Sequence, residues 1–179
     1  LHTDREGYLG LDYAIVQTSA AEVMIYRLAR PLLFLLDPEK AHQATIWALK
    51  HGLAGRSTEP DDPILSTRVW DFAFSNPVGL AAGFDKDAEV IDAVLGFGFG
   101  FVEAGTVTPL PQPGNPKPRL FRLVEDEAVI NRFGFNSKGL AAFVERLAER
   151  RRKGSAAGIV GANVGKTRDA ADAAGDYMT

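Results

Sequence analysis

Apolar positions along the chain follow two different periods. In the first third they recur every three to four residues. Ile25, Leu28, Leu32 and Leu35 share one side of a helix predicted over residues 24–36, with Arg27 and Arg30 on other faces. Pro31 predicts a kink there, or a break between two short turns. Asp37-Pro38-Glu39 reads as a second helix start: a capping acid, a proline at the first helical position and an acid in the first turn. That helix is predicted to run to about Leu53, with His42, Ile46, Leu49 and Leu53 on one face and Gly52 and Gly55 placed to stop it. Beyond a polar stretch the period shortens. Residues 69–74 alternate as a strand and 78–82 form a small-residue strand. Residues 87–95 form a helix with Val90, Ile91 and Val94 inward, and 99–104 the next strand. Residues 108–118, TPLPQPGNPKP, hold five prolines and fit neither helix nor central strand. Residues 119–131 read as two short strands around a turn at Glu125-Asp126-Glu127. A helix follows over 137–153, its basic end suited to the negative pole of the dipole, and then a strand over 158–164.

This order is β-α-β-hairpin-α-β, which predicts a parallel sheet with crossover helices. The expected fold is α/β: the first three or so units of a (β/α)8 TIM barrel, preceded by a small two-helix domain. A full barrel takes about 250 residues, so the chain is expected to be the front part of a longer protein. The expected organisation is residues 1–23 as an extension or disordered segment, 24–55 as the helical domain, 56–63 as a linker and 64–179 as the incomplete barrel. Weak periodicity before Met24 makes that methionine a natural start. No internal repeat is visible.

Composition narrows the classes. Of 179 residues, 46% are hydrophobic and 24% charged, which suits a packed domain. A formal net charge of −3 offers no basic surface for nucleic acid. The absence of cysteine excludes disulfides, thiolate catalysis and cysteine metal sites. The three histidines (His2, His42, His51) have no metal-ligand spacing. The start has no charged, apolar and small-residue succession of a secretory signal. The apolar run 32–36 is far shorter than the roughly 20 residues needed to span a bilayer. The helical pair is either a hairpin packed on the main domain or an amphipathic surface lying on a membrane; pattern alone favours the first.

Four segments carry chemistry. Ala82-Gly83-Phe84-Asp85-Lys86 puts small residues and a compact cation at a strand end, where a flat ligand can lie against backbone. Taken alone, a tight turn with a surface lysine is the stronger reading. Gly105-Thr106 offers a hydroxyl at the next strand end, or a turn cap. Residues 131–136, NRFGFN, crowd two amides, a guanidinium and two aromatics together. Asparagine there suits a ring amide or imide, and Asn136 doubles as a helix cap. Asn163 on a small-residue strand needs a partner if buried. Lys166, just beyond it, is expected to face solvent.

In order, RPLLFLLDPEKAH, NPVGLAAGFDKDAEVIDAVLGFGFGFVEAGTVTPLPQPGNPKPRLFRL, INRFGFNSKGL and GANVGK resemble the class 2, quinone-linked dihydroorotate dehydrogenases of pyrimidine biosynthesis, over Met24 to about Tyr177. The resemblance implies oxidation of (S)-dihydroorotate to orotate with FMN as hydride acceptor and a membrane quinone as final acceptor. It implies that Ala82, Gly83, Phe84, Asp85, Lys86, Thr106 and Asn163 contact FMN. Lys86, Asn131, Arg132, Phe133, Gly134 and Phe135 would bind dihydroorotate. It makes residues 24–53 a membrane-associated domain with a quinone tunnel, near which His42 and Arg122 stand. The helical pair then reads as the membrane surface, so the expected location is peripheral, on the cytoplasmic side of a bacterial inner membrane. No metal and no nucleic acid are implied, and no oligomeric state. The family's base, a serine in an Asn-Ser-Ser-Pro-Asn-Thr type loop, would lie beyond Thr179, so no catalytic residue is assigned within the chain. Lys166-Thr167-Arg168 and Ser137 depart from the family's usual Lys-Asn-Lys and asparagine. Two alternatives stand beside this reading: a non-catalytic truncated form of that enzyme, and another FMN barrel enzyme, against which residues 131–135 argue.

Overall fold

The computed structural model describes residues 20–53, 55–57, 59–154 and 158–179, with side chains from Arg27 onward. The part of the expected extension before residue 20 lies outside the described residues. Two compact units divide the chain, one ending at Asp37 and the other spanning Pro38–Thr179. The first holds helix α1 (Ala20–Leu35), which starts four residues before the expected Met24. Pro31 lies inside α1 without ending it. Arg30 packs over the Phe34 ring at 4.4 Å, and the apolar stripe of Leu28, Leu32 and Leu35 is exposed.

The second unit opens with α2 (Pro38–Lys50). Gly52, at φ 69, ends it as the glycine pattern predicts. The Gly52 amide donates to Leu49 and the Leu53 amide to Ala48, a Schellman closure that satisfies two terminal carbonyls. The stretch read as a linker is tied to the α/β body. Ser57 donates to the Gly96 carbonyl at 2.7 Å, and Asp61 accepts from buried Asn76 at 2.7 Å. The single strand expected over 69–74 is instead a hairpin, β1 (Thr67–Val69) and β2 (Phe72–Phe74), turning at Trp70-Asp71. Trp70 takes φ 52 without any glycine, proline or asparagine to announce the turn.

The central sheet is parallel, in the order β3 (Gly79–Leu80), β4 (Phe101–Val107), β7 (Ile159–Val164). Along the chain, between β4 and β7, comes a separate antiparallel hairpin, β5 (Leu120–Leu123) and β6 (Ala128–Asn131). Helices α3 (Ile91–Leu95), α4 (Leu140–Arg152) and α5 (Ala173–Tyr177) follow β3, β6 and β7. Alternation along β4 sorts its side chains: Val102, Ala104 and Val107 are buried. Ala104 and Val107 pack with Ile91 and Phe143 of α3 and α4. Val102 packs with Val90, Val94 and Leu49, which brings α2 into the core. Helix α4 starts three residues later than expected. Ser137 exchanges both backbone hydrogen bonds with Gln112 instead, and Gly139, at φ 88, is the capping position rather than Asn136.

Candidate functional site

The loop leaving β3 is folded around a buried carboxylate. Asp85, 2% exposed, accepts from the Glu89 and Val90 amides, both at 2.8 Å. Burial raises its pKa, opposed by those two amides. Its side chain therefore serves the loop, and what it offers a ligand is backbone. The same loop is stitched to the end of β4. Gly83 donates to Gly105 at 2.8 Å, and Gly105 donates to Asp85 at 2.9 Å. Gly83, at φ 110, needs the freedom of glycine, and a Cβ built on it would meet nothing within 4 Å. The Lys86 ammonium folds back to donate to the Gly83 carbonyl and lies 4.4 Å from the centre of the Phe133 ring. Burial lowers its pKa. Behind the loop, the His42 ring meets Phe84 edge-on, and Nε2 lies 2.8 Å from the Phe84 carbonyl. A carbonyl only accepts, so Nε2 carries the proton. Burial lowers the pKa of His42, which leaves neutral imidazole with Nδ1 as an acceptor.

The ends of β4 and β7 build a second group. Gly105 pairs with Asn163 and Val107 with Val164, so Thr106 is the extra residue of a bulge. Thr106 Oγ1 donates to Asn163 Oδ1 at 2.6 Å, and Asn163 Nδ2 donates to Glu103 at 2.9 Å. The carboxylate fixes the orientation of the amide. One N–H of Asn163 and the lone pairs of the threonine oxygen remain for a ligand. Lys166, expected in solvent, instead turns its ammonium onto the carbonyls of Thr167, Arg168 and Ala170, at 3.1, 3.1 and 2.8 Å.

The loop after β6 is held from the proline-rich segment. Asn115 donates from its backbone to Phe133 and from its side chain to Arg132, both at 2.8 Å. Arg132 turns its guanidinium to the Pro118 carbonyl. The Phe133 ring meets both Lys86 and Arg119, whose guanidinium carbon is 5.2 Å from the ring centre. Arg119 is itself buried and makes a two-pronged pair with Glu39 of α2, at 3.0 and 2.7 Å. Chiefly through that hydrogen bonding, Arg119 lowers the pKa of Glu39. Asn131 ends β6 exposed. Asn136 Oδ1 is buried without a hydrogen-bond partner.

Most of the expected residues meet. Ala82, Gly83, Lys86, Thr106 and residues 131–136 line one hollow of about 460 Å³. Phe84 and Asp85 face a neighbouring hollow of about 630 Å³ with His42, Ile46 and Trp47. Asn163 lines a third, of about 500 Å³, that shares Thr106 and Phe135 with the first. Arg122 lies on β5 opposite Val129 and lines none of the three. Sequence reasoning passed over Glu103, Gln112, Asn115 and the Glu39–Arg119 pair. The polar residues spaced among the prolines were the available signal for Gln112 and Asn115.

Residues 64–179 match the family model for dihydroorotate dehydrogenase. A dihydroorotate dehydrogenase (quinone) of Azorhizobium caulinodans is 64% identical over 154 residues, covering 86% of this chain and 43% of the relative. That of Rhodospirillum rubrum is 56% identical over 152 residues, covering 85% and 40%. The structure of ligand-free DHODH from Eimeria tenella aligns with a TM-score of 0.73 at 48% identity, covering 78% of this chain and 40% of that one. The chain thus spans less than half the length of these relatives.

Proposed function

The chain belongs to the dihydroorotate dehydrogenase family, and from that premise we propose that it forms the front part of a quinone-linked enzyme of pyrimidine biosynthesis. The reaction proposed is oxidation of (S)-dihydroorotate to orotate, with FMN as hydride acceptor and a membrane quinone as final electron acceptor. The observation that carries this reading is the single hollow in which Ala82, Gly83, Lys86, Thr106 and residues 131–135, from three separate strand ends, come together. Strand C-terminal ends are where (β/α) barrels keep their chemistry.

The residues fit a flat heteroaromatic group. Gly83 presents bare backbone toward open space, and the Glu103–Asn163–Thr106 chain leaves a donor and an acceptor for a ring edge. Ala82, Gly83, Lys86, Thr106 and Asn163 would hold FMN, with Phe84 and Asp85 contributing backbone. When bound, FMN supplies the two-electron acceptor. Lys86 keeps N–H donors beyond the one given to Gly83, and a carboxylate offsets the cost of burying its charge. Asn131 offers donor and acceptor together to a ring amide, with Arg132 to Phe135 forming the wall beside it. No residue of the chain is assigned as the proton-abstracting base.

His42 and Arg122 are proposed to stand at the quinone's path, His42 on the α2 side of the Phe84 loop. No helix among the described residues is long and apolar enough to cross a membrane. The proposed attachment, at the cytoplasmic side of a bacterial inner membrane, is to the surface, through residues 24–55. Rapid anaerobic mixing of the complete enzyme with dihydroorotate tests the reading. Flavin absorbance should bleach and return on adding a soluble quinone; no bleaching would remove the assignment of substrate.

A further inference from the structure

The proline-rich segment has no part in the function proposed above, yet it grips the loop assigned to dihydroorotate. Gln112 is the centre of that grip. Its backbone amide and carbonyl both pair with Ser137, at 3.0 Å. Its side-chain Nε2 donates to the Phe135 carbonyl at 2.8 Å and reaches the Gly134 carbonyl at 3.5 Å. Its Oε1 accepts from the Arg168 amide at 2.8 Å. One side chain therefore joins the loop after β6 to the loop after β7. Pro111 and Pro113 flank Gln112 and fix φ on either side, so little freedom is left to lose in holding it. The carbonyls it holds belong to Gly134 and Phe135, both left-handed, at φ 70 and 53. That conformation is unfavourable for phenylalanine and needs support from its surroundings.

We propose that Gln112 is a positioning residue for dihydroorotate: it holds the Gly134-Phe135 turn in its left-handed form and fixes the distance of residues 131–135 from the Arg168 loop. This rests on the assignment of residues 131–135 to the substrate. Glutamine suits the task because its planar head carries a donor for one loop and an acceptor for the other. Glutamate keeps the acceptor for Arg168 but sets an oxygen against the Phe135 carbonyl. Methionine keeps the length and offers neither bond.

The test is made on the complete enzyme carrying Gln112→Glu or Gln112→Met, with FMN content measured first. Both variants should retain FMN and raise the KM for dihydroorotate by about tenfold, the scale of one lost hydrogen bond. The KM for quinone should stay within about twofold. Amide exchange in the 131–137 peptide should rise in both, with that of β4 unchanged. An unaltered dihydroorotate KM together with unaltered exchange overturns the proposal. So does an equal rise in both KM values with loss of FMN, because that marks general loosening. If the unmodified enzyme is not reduced by dihydroorotate, the functional reading fails, and faster exchange in 131–137 still upholds the clamp.

Discussion

At the scale of single residues, side-chain direction decides how much the sequence could reveal. The crowding of amide, guanidinium and aromatic groups singled out the loop 131–135 in the sequence, and the structure brings it beside Lys86 at one hollow. Lys86 was singled out only by the family resemblance, since a cation in a small-residue turn reads by itself as a surface lysine. The placements of Lys166 and Asn136 were not legible, because a lysine aimed at its own loop and an asparagine displaced from a cap follow from tertiary geometry. Lys86→Ala in the complete enzyme should slow flavin reduction by about a hundredfold, the usual cost of removing one preorganised charge. Single-turnover reduction at the unmodified rate would contradict that role. His42 makes a pH prediction. Burial holds its folded-state pKa below the ordinary value of about 6.5, which the unfolded chain keeps. Above that value both states are neutral and it contributes nothing to pH dependence. As pH falls below it, the unfolded chain takes the proton first, so stability is lost until the folded value is reached. His42→Gln keeps an N–H for the Phe84 carbonyl and does not titrate. Its denaturation midpoint should fall less than that of the unmodified protein between about pH 7.5 and pH 5.5. Parallel declines would count against burial as the cause.

At the scale of elements, periodicity found helices α1 to α4 and the three parallel strands, but not the short α5 or what joins the elements. The β1–β2 turn at Trp70-Asp71 has no glycine or proline and only Asp71 to mark it, so the alternation was read straight through it. Glu39 and Arg119 stand eighty positions apart, beyond any local pattern, yet they pin α2 to the base of the β5–β6 hairpin. Glu39 in the sequence reads as a first-turn acid that favours the helix dipole, and it does more. Removing one partner of a buried pair strands the other charge, at a cost of about 3–5 kcal/mol. Glu39→Leu, which leaves the Arg119 charge buried, should destabilise the complete enzyme on that scale, whereas Arg119→Met leaves Glu39 its pair with Lys117 at 3.2 Å. Glu39→Leu with Arg119→Met together should cost less than the sum of the two changes. Additive losses in chemical denaturation would show that the pair is not coupled.

At the scale of the whole molecule, the outer strands of the sheet β3–β4–β7 are each paired on one side only among the described residues. Val164, Tyr177 and Met178, at and beyond the end of β7, are exposed. Free strand edges beside apolar side chains favour association. The 179-residue chain produced alone should self-associate in light scattering, and, spanning 43% of a relative's length, it should hold the proposed FMN at least about a hundredfold more weakly than the complete enzyme. A monomer with full FMN affinity would show instead that these strand ends suffice.

The placement of the two tryptophans governs what can be seen by fluorescence. Trp70 is 86% exposed at a hairpin tip and Trp47 57% exposed on α2. Neither is shielded from water, so native emission should already lie near that of the free indole, and unfolding should shift it little. Trp47 nevertheless stands on the rim of the hollow shared with His42 and Phe84. With Trp70 replaced by phenylalanine, emission from the remaining indole becomes an optical gauge of whatever enters beside α2. A quinone, a good electron acceptor, would register there as quenching before any turnover is measured.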